Sequence, residues 1–148
     1  KHDIIILLGI LLIGCQSQSQ QSDSESDDLL YEQYWQFQES MLFGIGDEDT
    51  AIESLFKSAE AGYAESQSQL GGCYAYRPDL IKREGADIDS AVIWWLRAAE
   101  QDEWMAQRDL AYYYADIQDW KQAEFWLKRA KKNGYKDKEL QKQIRRNL

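Results

Sequence analysis

Histidine is the rarest reactive residue in this chain: the only one is His2, so nothing beyond position 2 carries an imidazole. Its absence excludes Ser-His and Cys-His nucleophile pairs, a histidine general base and the usual catalytic zinc sites. Carboxylates are plentiful, but none stands in a recognisable acid/base or metal-binding pattern, and the sequence points away from an enzyme, a cofactor or a metal. Cysteine is nearly as scarce, with Cys15 and Cys73 alone. If Cys15 is modified, Cys73 has no partner for an intramolecular disulfide and is expected to be a small buried apolar residue. Val, Ile and Thr are too sparse for a sheet, and from Leu29 onward the pattern is helical throughout. Long apolar runs are missing too. A membrane-spanning helix needs about 20 apolar residues, and the longest run, residues 4–13, has ten, broken only by Gly9. Basic charge is thin over most of the chain: residues 16–120 hold 6 basic and 22 acidic residues, a net of −16. Residues 121–148 reverse this with 10 basic and 3 acidic, a net of +7. An acidic body argues against nucleic acid as the ligand, because phosphate binding needs a basic surface.

The short apolar run has the length of a different element. A signal-peptide core takes about 7–15 apolar residues, so residues 4–13 suit a signal better than an anchor. They close on Leu12, Ile13, Gly14 and Cys15, which resembles the lipobox of bacterial lipoproteins. The alternative is an ordinary secreted chain with a chance cysteine. The resemblance implies a signal peptide over 1–14, cleavage before Cys15, and acylation of both the Cys15 thiol and the new amino terminus. Two or more acyl chains hold a protein stably on a membrane, where one is marginal. Gln16, rather than Asp, stands after the cysteine, which in such lipoproteins implies the outer membrane and a body facing the periplasm. Residues 15–28 run on as QSQSQQSDSESDD after the cysteine, without one apolar side chain. Such a segment cannot bury enough surface to offset the entropy of ordering it, and reads as a disordered tether.

Residues 29–148 read as one helical repeat domain. Residues 51–74 and 91–114 match at a constant offset of 40: Ala51 with Ala91, Ala59 with Ala99, Gln67 with Gln107, Leu70 with Leu110, Tyr74 with Tyr114. A partial third copy begins at Ala123, where Trp126 answers Trp94, Arg129 answers Arg97 and Ala130 answers Ala98. Asp47, Asp87 and Asp119 each stand four residues before a leading Ala, where a carboxylate can cap a helix N-terminus. The units fall at about 47–76, 87–116 and 119–147, each a pair of helices: 48–61 with 64–76, 88–101 with 104–116, and 120–133 with 137–147. Asp28 is expected to cap a leading helix over 29–43 that ends at Gly44 and Gly46. The pattern Ala91, Trp94, Ala98, Ala99, then Ala106, Leu110, Ala111 and Tyr114 resembles the Sel1-like repeat, a relative of the tetratricopeptide repeat. In the first copy Ser54 replaces the Trp. The resemblance implies an all-α fold: a short, right-handed superhelical solenoid of antiparallel helix pairs.

Arrays of this kind bind partners on their concave face. On helix 104–116, Met105, Asp109, Tyr112 and Asp116 lie opposite the core face, and Glu65, Gln69 and Tyr76 are their counterparts one copy earlier. Together they form a candidate recognition strip for a basic or mixed protein surface, or else a solvated helix face. Trp95, Trp104 and Trp120 fall outside the repeat pattern and are assigned to the core. The link 77–84, with the only proline at Pro78, is either a contact loop or a neutral lengthening. In the last helix Leu140, Ile144 and Leu148 recur among Lys138, Lys142, Arg145 and Arg146, a polar-faced terminal cap or a surface for anionic lipid or an acidic partner. The function expected is that of a non-catalytic lipoprotein that binds another protein in the bacterial envelope, with no small-molecule substrate. One concrete form is an immunity protein whose acidic face suits a basic toxin; the alternative is an envelope scaffold or assembly factor. Catalysis would require Asp109, Asp116 and Glu65 to share a closed pocket with perturbed ionisation.

Overall fold

The structure is a computed structural model that describes residues 26–82 and 87–148. Among the described residues it is helical throughout, with no strand. The elements are α1 (26–43), α2 (Glu48–Glu60), α3 (Ala64–Tyr76), a 3₁₀ turn (Pro78–Leu80), α4 (Ile88–Glu100), α5 (Trp104–Asp116), α6 (Trp120–Lys132) and α7 (Lys138–Asn147). They stack in order as α2–α3, α4–α5 and α6–α7, with α1 packed in front. This is an all-α repeat solenoid. The expected signal peptide, Cys15 and tether residues 16–25 lie outside the described residues. Residues 26–28 belong to α1 instead of the tether, so Asp28 lies inside the helix and does not cap it. Their carboxylates, near the helix start, suit the positive end of its dipole.

The three aspartates anticipated as caps do cap. Asp47 accepts from the Thr50 amide at 2.9 Å, Asp87 from Ser90 at 2.8 Å, and Asp119 from Gln122 at 3.2 Å. Two further caps carry no repeat signature. Glu103 accepts from the amides of Met105 (3.0 Å) and Ala106 (2.7 Å), and Asp137 from Leu140 (2.8 Å). Each pair turns through one residue in the left-handed region: Gly62 (φ 107°), Asp102 (φ 63°) and Gly134 (φ 94°). Asp is among the few non-glycine residues that tolerate this conformation, and Arg129 holds the Asp102 carboxylate at 2.7 Å.

Two apolar clusters fill the interior. The first gathers Phe37 of α1, Leu55 and Phe56 of α2, Leu70 and Cys73 of α3, and Leu80 and Ile81 of the link. The second is built on Trp95, Leu110, Trp126, Leu127, Leu140 and Ile144, and Tyr74 touches both. The link after α3 is thus no free loop up to Ile81, because it tucks two aliphatic side chains into the first core. Trp95 is 1% exposed, so its assignment to the core holds, whereas Trp104 is exposed and stacks on Tyr135 with ring centroids 5.8 Å apart. Leu148 does not join Leu140 and Ile144 in the core and is exposed.

The departure of the first copy from the repeat pattern has a local cause. Ser54, where the next copy has Trp94, donates to Gln36 of α1 at 3.0 Å. Ser58, where the next copy has Ala98, donates to the Leu30 carbonyl at 2.9 Å and pairs with Ser66 at 2.7 Å. These positions of α2 face α1, and small hydroxyl side chains let that helix lie close while satisfying its polar groups.

A polar ladder joins one pair to the next. Gln67 donates to the Ala59 carbonyl at 3.0 Å and accepts from Gln101 at 2.9 Å, and Gln101 also donates to the Gly62 carbonyl at 3.0 Å. One step along, Gln107 donates to the Ala99 carbonyl at 3.1 Å and accepts from Asn133 at 3.0 Å, and Asn133 donates to the Asp102 carbonyl at 3.1 Å. In both rungs a buried amide on the second helix of one pair meets the C-terminal end of the first helix of the next. The amides of Gln101 and Asn133 satisfy the Gly62 and Asp102 carbonyls, while those of Gln67 and Gln107 add a second donor to the Ala59 and Ala99 carbonyls, which the Gly62 and Asp102 backbone amides already reach.

Candidate binding groove

The stacking places α3 and α5 side by side, with α1 flanking α3. Between them lies a groove of about 310 Å³. Phe37 and Met41 come from α1, Gln69 and Tyr76 from α3, and Met105 and Asp109 from α5. Of the strip read from the sequence, Gln69, Tyr76, Met105 and Asp109 therefore meet in one groove. Tyr76 is 66% exposed at its mouth, with its ring 6.1 Å from that of Trp95. An exposed tyrosine seated on a fixed tryptophan offers apolar area at small entropic cost.

The other strip residues lie elsewhere. Glu65 is half-buried nearer the start of α3, where its charge adds to burial in raising the hydroxyls of Tyr34 and Tyr63 above their ordinary value. Tyr112 is turned to the last helix pair and donates to Asp137, which also accepts from Tyr135 at 3.2 Å. Asp116 is exposed at the end of α5. The strip, one face each of α3 and α5 in sequence, is divided in the structure between the groove and its surroundings.

Asp109 departs from the surface role expected of it. It is 8% exposed and paired with Arg108 at 2.8 Å, and burial outweighs that partner and pushes its carboxyl above the usual carboxylate range. Glu103 is consumed in capping α5, and Asp102 is held by Arg129. The groove wall is largely apolar, with Gln38, Ser68, Gln69 and Arg77 and the Arg108–Asp109 pair as its polar groups and Asp109 as its one carboxylate. Glu65 and Asp116 do not line the groove with Asp109, so the three carboxylates do not share a pocket. No group of acidic, histidine or cysteine side chains among the described residues is placed to hold a metal ion. Likewise, no helix among them is long and apolar enough to cross a membrane. Burial pushes the Cys73 thiol up to about 11, as suits a packed apolar residue.

Sequence reasoning missed the α1 wall and Arg108. Phe37 and Met41 stand four apart on the leading helix, a signal for one buried face, but α1 lies outside the repeat register that located the strip. Arg108 sits beside Asp109 in the chain, and only the fold turns both towards the groove.

No protein-family model matches the chain, and no curated protein matches it either. Among solved structures it is similar to a Sel1 repeat protein from Oxalobacter formigenes, with a TM-score of 0.59 at 24% identity, over 87% of this chain and 98% of that one. That likeness shows the fold: the chain is an all-α repeat solenoid of the kind seen in that Sel1 repeat protein.

Proposed function

We propose that this Sel1-repeat solenoid is a protein-binding module, held at a bacterial membrane through lipid on Cys15, and that the groove between α1, α3 and α5 receives its partner. The observation that carries the reading is the groove itself: an apolar trough edged by Met41, Met105 and an exposed Tyr76. Solvent-facing tyrosine and methionine around a concave apolar surface suit a protruding helix or loop of another protein. Because its one lining carboxylate, Asp109, is engaged by Arg108, the groove selects by shape and apolar contact, with that pair as a polar mark on its wall. The acidic surroundings favour a partner with net positive charge through long-range steering. The role this suits best is an immunity protein for an antibacterial toxin. A scaffold that gathers several envelope proteins is the second reading, supported by the general use of repeat arrays as platforms.

Both core clusters lie between residues 37 and 144, so a chain beginning at Gln16 keeps the whole interior. Such a chain, used as bait on envelope extract, should capture one dominant partner. Tyr76→Ala combined with Met105→Ala should reduce capture at least tenfold with an unchanged melting curve. Unchanged capture would remove the groove from the binding surface. Cells lacking the protein should be killed by the cognate toxin if it confers immunity, whereas capture of several envelope proteins without any toxin phenotype would favour the scaffold.

A further inference from the structure

The two ends of the solenoid differ in a way that the groove does not use. At the C-terminal end a second groove of about 210 Å³ opens between α6 and α7, with Leu127 and Ile144 on its floor. Its rim carries Lys131, Lys136, Lys138 and Arg145. Among the described residues none of these four is in an ion pair, since Glu124 is taken by Lys128 at 2.9 Å and Asp137 by the α7 cap and Tyr112. One pair earlier, the positions of Glu124, Lys128 and Lys131 are held by Val92, Leu96 and Ala99, which pack into the second core. The end of the array thus keeps an apolar floor but surrounds it with uncompensated positive charge.

The N-terminal end is its counterpart. Tyr31, Trp35 and Leu42 of α1 are exposed and recur at helical spacing on one face, together with exposed Asp28, Glu32 and Glu39. An aromatic and acidic helix face at one end therefore complements a basic-rimmed apolar groove at the other. We propose that α1 of one copy lies on the α6–α7 groove of the next, so that the chain associates head to tail. Tyr31 and Trp35 supply the apolar anchors, and the acids of α1 meet the free cations of the rim. Because each copy offers two different patches, the contact is heterologous and repeats into an open row or a ring. The contact uses Tyr31, Trp35 and Leu42 of α1, none of which lines the groove between α1, α3 and α5, so this inference does not rest on the partner-binding reading.

The test is sedimentation of the chain beginning at Gln16 over a range of concentration and salt. Its average mass should rise to at least twice the monomer at low salt and return to the monomer near 1 M salt, where the Debye length is about 3 Å. Lys131→Glu/Lys138→Glu/Arg145→Glu and, separately, Glu32→Lys/Glu39→Lys should each be monomeric with wild-type helix content and melting. An equimolar mixture of the two variants should associate again, because each then offers a face complementary to the other. A wild type that stays monomeric throughout would overturn the proposal, as would either variant associating like the wild type. A monomeric wild type that binds vesicles of anionic phospholipid, lost in the α6–α7 variant, would overturn it and assign the cations to a lipid surface.

Discussion

The first helix pair and the second carry the same plan with different fillings. In α2–α3 the inward positions include Leu55, Ser58, Ser66, Gly71 and Cys73; in α4–α5 their counterparts are Trp95, Ala98, Ala106, Ala111 and Tyr113. The second pair is packed around one indole, and the first yields space to it. A methyl group added at Gly71 would come within 2.5 Å of Trp95 Cδ1, so the glycine of the first pair is set by the tryptophan of the second. The first pair is also the more polar, because its serines seat α1, whereas the alanines of the second let α4 and α5 close directly on each other. Each pair is therefore shaped by the neighbour it faces, within a shared repeat.

The sharpest way to break this comparison is at Trp95. Trp95→Ala should cost about 3–5 kcal/mol, the range for losing a buried large aromatic, measured by denaturant unfolding. Gly71→Ala tests the same contact from the other side and should cost about 1–3 kcal/mol through overpacking. The reverse exchange at the matching site, Ala111→Gly, should cost only about 0.5–1 kcal/mol. If Gly71→Ala were neutral, the indole would have room to shift and the interlock would be looser than the geometry indicates.

The ladder allows a finer comparison, since the two rungs are alike in their bonds but not in their setting. Gln107 is 0% exposed and Gln67 6%. Gln107→Leu removes its bonds to the Ala99 carbonyl, the Asp102 carboxylate and the Asn133 amide, leaving Ala99 with the Asp102 backbone amide and Asn133 with the Asp102 carbonyl. With the usual net worth of a hydrogen bond at about 1 kcal/mol, the cost should be about 1–3 kcal/mol. Gln67→Leu should cost less, because its rung opens further to solvent. Equal losses would mean that water does not reach the first rung.

The repeat itself was legible, because Ala, Leu and Tyr at fixed intervals and an Asp before each leading Ala are local signals. Helix limits and the aspartate caps arise from them. The ladder was half legible: Gln67 and Gln107 stand at the same offset as the alanines, but their partners Gln101 and Asn133 differ in residue type and lie across a turn. The groove was read from one side only, since periodicity on α3 and α5 marks Gln69, Tyr76, Met105 and Asp109, while the opposing wall belongs to a helix outside the register. The burial of Asp109 was not legible at all. A charged residue opposite the core face reads as solvated, because the α1 and α3 side chains that share its groove are distant in sequence.

Two smaller tests probe single matched positions. Cys73 stands where the second pair has Tyr113, and its raised, buried thiol should react with a disulfide reagent only as fast as the protein unfolds. Reaction at the rate of a free thiol would show that the thiol is reached in the native state through the groove that Cys73 also lines.

The last comparison is Asp109 against Gln69, a carboxylate and an amide at equivalent places in the same groove. Because burial raises the folded carboxyl of Asp109 above its ordinary value near 3.8, the folded chain holds that proton to higher pH than the unfolded chain does. Stability from this residue must then fall as pH rises from the ordinary value through the folded one. The exposed and capping aspartates act oppositely: Asp47, Asp87, Asp102 and Asp137 are held low by their hydrogen-bond donors and lose their contribution as pH falls. Asp109→Asn gives the second pair the neutral amide of the first and leaves those other groups in place, so their effect cancels in the difference. The wild type should lose stability relative to Asp109→Asn as pH rises through that window, with the difference level on either side, tracked by urea unfolding at steps of pH. A difference of the opposite slope would mean that the Arg108 partner, at 2.8 Å, outweighs burial, and that the groove floor carries a settled ion pair instead of a penalised charge.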